Sequence, residues 1–229
     1  MPNILAIETS SELASVALLH RGQLISHEAS GVQTHSQTVL PMVQALLAQA
    51  GIALSDCDAI AFGAGPGSFT GVRTACGVAQ GLAFGGDLPV IPVVTLLAMA
   101  QACRDTTGTD NTLVVLDARM DEVYWAQYRY ADGWQAVTEP TLSAPEVVVI
   151  ADNAVACGNG LTAYASAFGN LATSAASQAD IMPHAAQIAR LAEAEFAAGR
   201  TVSARDAQPI YLRNKVALTT AERLAKVAT

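Results

Sequence analysis

The amino-acid sequence predicts an α/β fold made of two copies of one plan, and three observations carry that prediction. Apolar runs of strand length alternate with stretches of helical period. The run Leu113-Val114-Val115-Leu116-Asp117 repeats Ile4-Leu5-Ala6-Ile7-Glu8 at an offset of 109, and Ala154–Gly160 repeats Ala59–Gly65 at an offset of 95. Two landmarks recurring in the same order read as an internal duplication of strand–turn–strand followed by strand–glycine–helix.

In the first copy, Ile4–Ile7 is an apolar run ended by Glu8-Thr9-Ser10-Ser11, Leu13–Leu19 is the second strand, and Arg21-Gly22-Gln23 turns the chain into Leu24–Glu28. Thr34 with Gln37 three residues on has the spacing of a capping box. Val39, Val43, Leu46, Leu47 and Ala50 then repeat at helical spacing up to Gly51, with Pro41 expected to kink the first turns or move the start. Ala59–Phe62 is a short buried strand leading into Gly63–Gly71, after which a helix is expected over Val72–Phe84. Val90–Val94 reads as a strand, Leu96–Cys103 as a helix and Arg104–Asn111 as a linker. These landmarks divide the chain into an N-terminal half, residues 1–103, and a C-terminal half, residues 104–229, whose last segment is expected to pack back on the first half.

The second copy continues with Val123–Tyr130 as the second strand and Asp132-Gly133 as the turn, but has Leu142–Ile150 where the first has a long helix. Ile188, Leu191, Ala192 and Phe196 share one helical face stopped by Gly199; Thr219 and Glu222 are spaced to cap a last helix. Duplicated meander-plus-helix halves of this kind build the actin-like (ASKHA, ribonuclease H-like) fold, in which a nucleotide sits between the halves near the first hairpin of each.

Composition bounds the function. With 229 residues, 52% hydrophobic and 14% charged, the chain is globular. No apolar run reaches the ~18 residues that a membrane span requires, and Met1–Glu8 lacks a basic region before its apolar run, so a cytoplasmic protein without membrane contact is expected. The formal charge is −8, from 12 Lys and Arg against 20 acids; because phosphate neutralisation drives nucleic-acid affinity, RNA contact would need a more basic partner. Cys57, Cys76, Cys103 and Cys157 form no C-x-x-C pair and read as core thiols. His20, His27, His35 and His184 show no metal-ligand spacing, and Ser68 is in no G-x-S-x-G elbow.

The loop from Gly65 to Gly71 joins a strand to a helix, where exposed N–H groups form a ready anion site. Thr9, Ser10, Gly65, Gly67 and Ser68 are the candidate phosphate ligands. The residues leave open the alternative of a tight turn without a ligand, and no Walker A lysine follows. In the next helix Gly77, Gly81 and Gly85 form one bare stripe and Ala75, Ala79 and Ala83 another, so two faces permit close backbone approach. In the second copy Asp117-Ala118-Arg119 holds the position of Glu8-Thr9-Ser10, and Arg119 puts a bulky side chain where an actin-like kinase would hold phosphate.

Ile4–Ser10, His35-Ser36, Gly65-Pro66-Gly67-Ser68-Phe69-Thr70-Gly71-Val72-Arg73, Leu116–Arg119 and Pro209-Ile210-Tyr211-Leu212-Arg213 together resemble the bacterial TsaB (YeaZ) family nearly end to end. The resemblance implies a role in making threonylcarbamoyladenosine beside the tRNA anticodon. It implies pairing with the related catalytic subunit TsaD, recruitment of the ATPase TsaE, self-association, and contact with tRNA only through the complex. TsaD carries a metal-binding His-x-x-x-His where this chain has Thr95 and Met99, and two imidazoles cannot be replaced by these side chains. A non-catalytic subunit is therefore expected, with no cofactor in the isolated chain and ATP or ADP at the complex interface. The expected partner contacts are Val39, Val43, Leu46, Leu47, Val72, Ala75, Cys76, Ala79 and Ala83, with Ala79→Arg abolishing pairing in a folded monomer. The competing readings are an ATP-dependent small-molecule kinase of the same superfamily and, more weakly, a peptidase.

Overall fold

A computed structural model describes residues 1–30, 35–169, 171 and 177–213. Its first half is a five-stranded sheet of β1 (Ile4–Glu8), β2 (Leu13–His20), β3 (Gln23–Ser30), β4 (Ala59–Gly65) and β5 (Val90–Val94), in the order β3-β2-β1-β4-β5. The meander β1-β2-β3 is antiparallel, while β4 and β5 add in parallel. The second half repeats the plan with β6 (Asn111–Arg119), β7 (Glu122–Tyr130), β8 (Trp134–Ser143) and β9 (Val155–Cys157), in the order β8-β7-β6-β9. The parallel pairs β1·β4 and β6·β9 are the two repeated landmarks, so the duplication seen in the sequence is a duplication of topology. This is the actin-like arrangement of two mixed sheets with flanking helices.

Both faces of the first sheet are buried, which is why β1 and β4 are continuous apolar runs instead of alternating ones. On one face Leu5, Ile7, Ile60 and Phe62 pack against α1 (His35–Ala50) and α2 (Phe69–Gly86). On the other, Ile4, Ala6, Ala61 and Ile91 pack against α6 (Ala185–Ala197) and Ala98 of α3 (Thr95–Thr107). Helix α3 also turns Leu96, Met99, Ala100 and Cys103 to the second sheet, so it is shared by both halves. The far face of the second sheet carries Leu113, Val115 and Trp125 under the short helices α4 (Gly160–Ala163) and α5 (Ala165–Phe168). All four cysteines are free and buried.

Several boundaries differ from the sequence reading. Helix α1 runs through Pro41 without restarting there, and the capping Thr34 lies outside the described residues, as do Thr219 and Glu222. Helix α2 begins at Phe69, so the end of the glycine loop is already its first turn. Helix α3 extends to Thr107, because Gly108 in the left-handed conformation (φ 73°) supplies the stop and four of the supposed linker residues are helical. The stretch Leu142–Ile150 holds the end of β8 and a 3₁₀ turn at Pro145–Val147. After α6 the chain returns to the first half: Val90 and Val202 exchange two backbone hydrogen bonds of 2.8 Å, which covers part of the edge of β5.

Candidate functional site

The two first hairpins meet at a cleft of about 360 Å³ between the halves, lined among others by Ser10, Ser68, Asp117, Arg119, Asn159 and Arg213. Each hairpin is organised by the acid that ends its first strand. In the first half the buried Glu8 carboxylate accepts from Ser10 N at 2.5 Å and from Thr95 Oγ1 at 3.4 Å. In the second half Asp117 Oδ1 accepts from Arg119 N at 2.8 Å, and also from the Tyr164 hydroxyl at 3.1 Å. The same i to i+2 bond therefore caps both turns, a second trace of the duplication. Gly63 is needed beside Glu8, since a Cβ there would fall inside the carboxylate. Burial raises the Glu8 pKa above the ordinary carboxylate value, against the opposing effect of its hydrogen bonds.

The structure brings Thr9, Ser10, Gly65, Gly67 and Ser68 together, and most of their polar groups face other groups of the protein. Thr9 Oγ1 donates to Gly71 O at 2.7 Å, Ser68 N donates to Ser10 O at 2.7 Å, and Gly65 N donates to Thr95 Oγ1 at 3.1 Å. A Cβ at Gly67 would stand 2.6 Å from the Ser10 Cβ, and one at Gly65, whose φ is +101°, would stand 2.9 Å from Ile210 O. The glycines thus permit the loop to lie against the first hairpin and the C-terminal segment. Two of the N–H groups a phosphate would require are already bonded, so these residues fit a closed turn better than a phosphate cradle.

Arg119 and the segment Pro209–Arg213 brace the cleft. Arg119 Nη2 bonds Glu12 Oε1 of the opposite hairpin at 2.7 Å, and Arg119 Nη1 lies 3.1 Å from Asp117 Oδ2. Ile210 N donates to Ala64 O at 2.7 Å in the first half. Three residues on, Arg213 donates to Ala118 O at 3.0 Å, Arg119 O at 3.2 Å and Glu122 Oε2 at 2.5 Å in the second. Those bonds hold a turn in which Arg119, Met120 and Asp121 are all left-handed, with φ of 61°, 60° and 60°, a conformation unfavourable to side chains with a Cβ. The sequence reading singled out Pro209–Arg213 as a motif but missed this bracing role, and missed Glu12 altogether. Nothing local to either stretch signals a contact between residues about a hundred positions apart.

The expected partner contacts need correction. Val39, Val43, Leu46, Val72, Ala75, Cys76, Ala79 and Ala83 are buried in the protomer, and Leu47 is packed against the same core. The first sheet takes the apolar face of both helices, so the alanine stripe is spent on β4 and Ala79→Arg would disrupt the fold itself. The face left outward is the other one: Leu40 on α1, then Arg73, Phe84 and the glycine stripe on α2. Phe84 is 85% exposed, and a Cβ at Gly77, Gly81 or Gly85 would meet nothing within 4 Å.

Thr95 and Met99 are both fully buried; Thr95 serves the Glu8 network and Met99 packs between the halves. Among the described residues no group of three or more His, Cys, Asp or Glu side chains is placed to hold a metal, and no helix is long and apolar enough to cross a membrane.

A family model described as "TsaD: tRNA N6-adenosine threonylcarbamoyltransferase" matches residues 27–221. The tRNA threonylcarbamoyladenosine biosynthesis protein TsaB of Haemophilus influenzae is 42% identical, over 93% of this chain and 94% of its own. The protein of the same name from Escherichia coli K12 is 39% identical, over 93% of this chain and 96% of its own. The solved structure of YeaZ from Pseudomonas aeruginosa superposes with a TM-score of 0.84 at 41% identity, covering 93% of this chain and all of that one. Carrying the glycine loop, the duplicated hairpins and the C-terminal brace in one fold, and matching these relatives nearly end to end, the chain belongs to the TsaB (YeaZ) family of tRNA threonylcarbamoyladenosine biosynthesis proteins.

Proposed function

We propose that this chain is a non-catalytic partner subunit of the cytoplasmic assembly that places threonylcarbamoyl on N6 of the adenosine next to the tRNA anticodon, pairing with TsaD and recruiting TsaE. The observation that supports pairing is the outer face of α1 and α2, where an exposed Phe84 stands beside three glycines with open space above them. A second helix pair can approach such a backbone closely, and an exposed aromatic beside it is the kind of anchor that interfaces use. A role without chemistry of its own is supported by Thr95 and Met99, which are structural, and by the Arg119 and Arg213 bonds that occupy the cleft mouth. The same features weigh against an independent kinase. On this reading ATP or ADP belongs to the assembled complex, and tRNA is reached through it, in keeping with the charge of −8.

The test is light scattering on a size-exclusion column, with this chain mixed with the TsaD of the same genome. A stable mixed complex is expected. Absence of a complex at micromolar concentrations, with and without ATP, together with tight Mg-ATP binding by the chain alone, would overturn the reading in favour of the kinase.

A further inference from the structure

Arg73 is held in a way that no requirement of the fold explains. It lies exposed on α2, its guanidinium carbon 3.6 Å above the Phe69 ring centre and 5.4 Å from that of Tyr211. Its Nε donates to the Tyr211 hydroxyl at 2.7 Å. The two rings, 36% and 44% exposed, stand 5.6 Å apart and clasp the cation from the start of α2 and from the C-terminal brace. Arg104, Arg119, Arg129, Arg190, Arg200 and Arg213 each hold a carboxylate. Arg73 holds none, and its Nη1 and Nη2 make no hydrogen bond among the described residues. The result is an oriented planar fork with its stem and Nε already fixed, the form of arginine that receives a carboxylate bidentately with little further loss of freedom.

We propose that Arg73, braced by Phe69 and Tyr211, is the anchor that receives a carboxylate side chain of the docking TsaD subunit. The inference rests on the pairing reading above and names the chemistry of that contact. Charge complementarity selects the occupant: in an acidic chain, an unpaired cation ringed by exposed Phe69, Tyr211 and Met120 matches an acidic group within an aromatic- and Met-rich protein interface. A tRNA phosphate is the competing source of an anion, and it would face the field of the remaining acids.

The experiment measures affinity for TsaD by calorimetry, and for tRNA separately, using the full chain and its Arg73→Ala, Arg73→Lys and Tyr211→Phe variants. Arg73→Ala is expected to weaken TsaD pairing on the order of 30-fold, as loss of a charge-assisted hydrogen-bond pair would, and to flatten its salt dependence. Arg73→Lys should remain at least ~5-fold weaker than the wild type, because an ammonium has no fork. Tyr211→Phe, which leaves the charge and frees Nε, should fall between, and its unchanged melting temperature would separate pre-organisation from folding. Pairing of Arg73→Ala within about twofold of wild type overturns the inference while leaving pairing intact. A variant that pairs normally but loses tRNA assigns Arg73 to phosphate and also overturns it. A wild-type chain that forms no complex with TsaD overturns the pairing reading and this inference together.

Discussion

Replacing both Gly77 and Gly81 with alanine should stabilise the protein and weaken its pairing at the same time. Each glycine lies inside α2 on its exposed side, neither has a positive φ, and a Cβ at either would meet nothing within 4 Å. Alanine is favoured over glycine inside a helix by about 0.8–1 kcal/mol, mainly because glycine gives the unfolded chain more freedom to lose. With no steric term to subtract, two sites give ~1.5–2 kcal/mol, and at roughly 2–4 °C per kcal/mol for a chain of this size the melting temperature should rise ~3–8 °C. Urea unfolding should show a higher midpoint with an unchanged slope. The same methyl groups thicken the face proposed for TsaD. Overpacking a close helix contact costs ~1–3 kcal/mol, so affinity should fall roughly 5- to 150-fold. A fall in melting temperature would show that the outer stripe is not free. A rise with undiminished pairing would place the interface elsewhere, and would leave the exposed glycines without a role.

Other substitutions separate the core, the brace and the titrating groups. Ala79→Arg should leave no folded protein, detected by loss of the cooperative melt, because the site is fully buried against the first sheet. Phe62→Ala should cost ~3–5 kcal/mol in urea unfolding, as the largest of the fully buried side chains. Arg213→Ala should cost ~2–3 kcal/mol and speed amide exchange selectively at 118–122, since three acceptors in the left-handed turn lose their donor. Burial raises the folded pKa of Glu8 above 4.5, so its contribution to stability is full below that value and is lost as pH rises through the raised one. Glu8→Gln should abolish that part of the pH dependence in unfolding curves taken from pH ~4.5 upward.

The fold was more legible than the site, for a physical reason. A strand buried on both faces must be a continuous apolar run, and a duplicated strand–glycine–helix unit leaves the same run twice, so β1, β4, β6 and β9 could be read directly. Helix ends were read less well. Gly108 lay within a polar stretch that resembled a linker, yet it is the left-handed stop that carries α3 to Thr107. The interface residues were misread because an amphipathic pattern says that one face of a helix is buried but not by what. Val39, Val43 and the alanine stripe are buried by the chain's own sheet, and the glycine stripe, which carries no hydrophobic signal, is what remains outside. The brace was illegible since Arg213 and the turn it holds are joined only by the closure of the two halves.

The two hairpins show how a duplicated fold can turn a ligand cleft into a joint. Both keep an acid at the end of the first strand, and in both its carboxylate bonds the N–H two residues on. The residues after the acid differ. Thr9 and Ser10 are small, and their backbone lies against Gly67 and Gly71, so the first hairpin closes onto the helix that a phosphate would otherwise approach. Arg119 is large and charged, and it reaches over to Glu12 while the C-terminal segment pins its own turn. Each change replaces a contact to a ligand with a contact between halves. A cleft closed by its own residues gains nothing from opening and shutting, and its rigidity is useful to a scaffold: Tyr211, fixed by the same segment, can hold Arg73 at a constant angle for a partner that docks along α2. If that is the purpose of the brace, cutting it at Arg213 should weaken TsaD pairing through Tyr211 even though Arg213 itself never touches the partner, and Arg213→Ala combined with Tyr211→Phe should weaken pairing by less than the sum of the two effects.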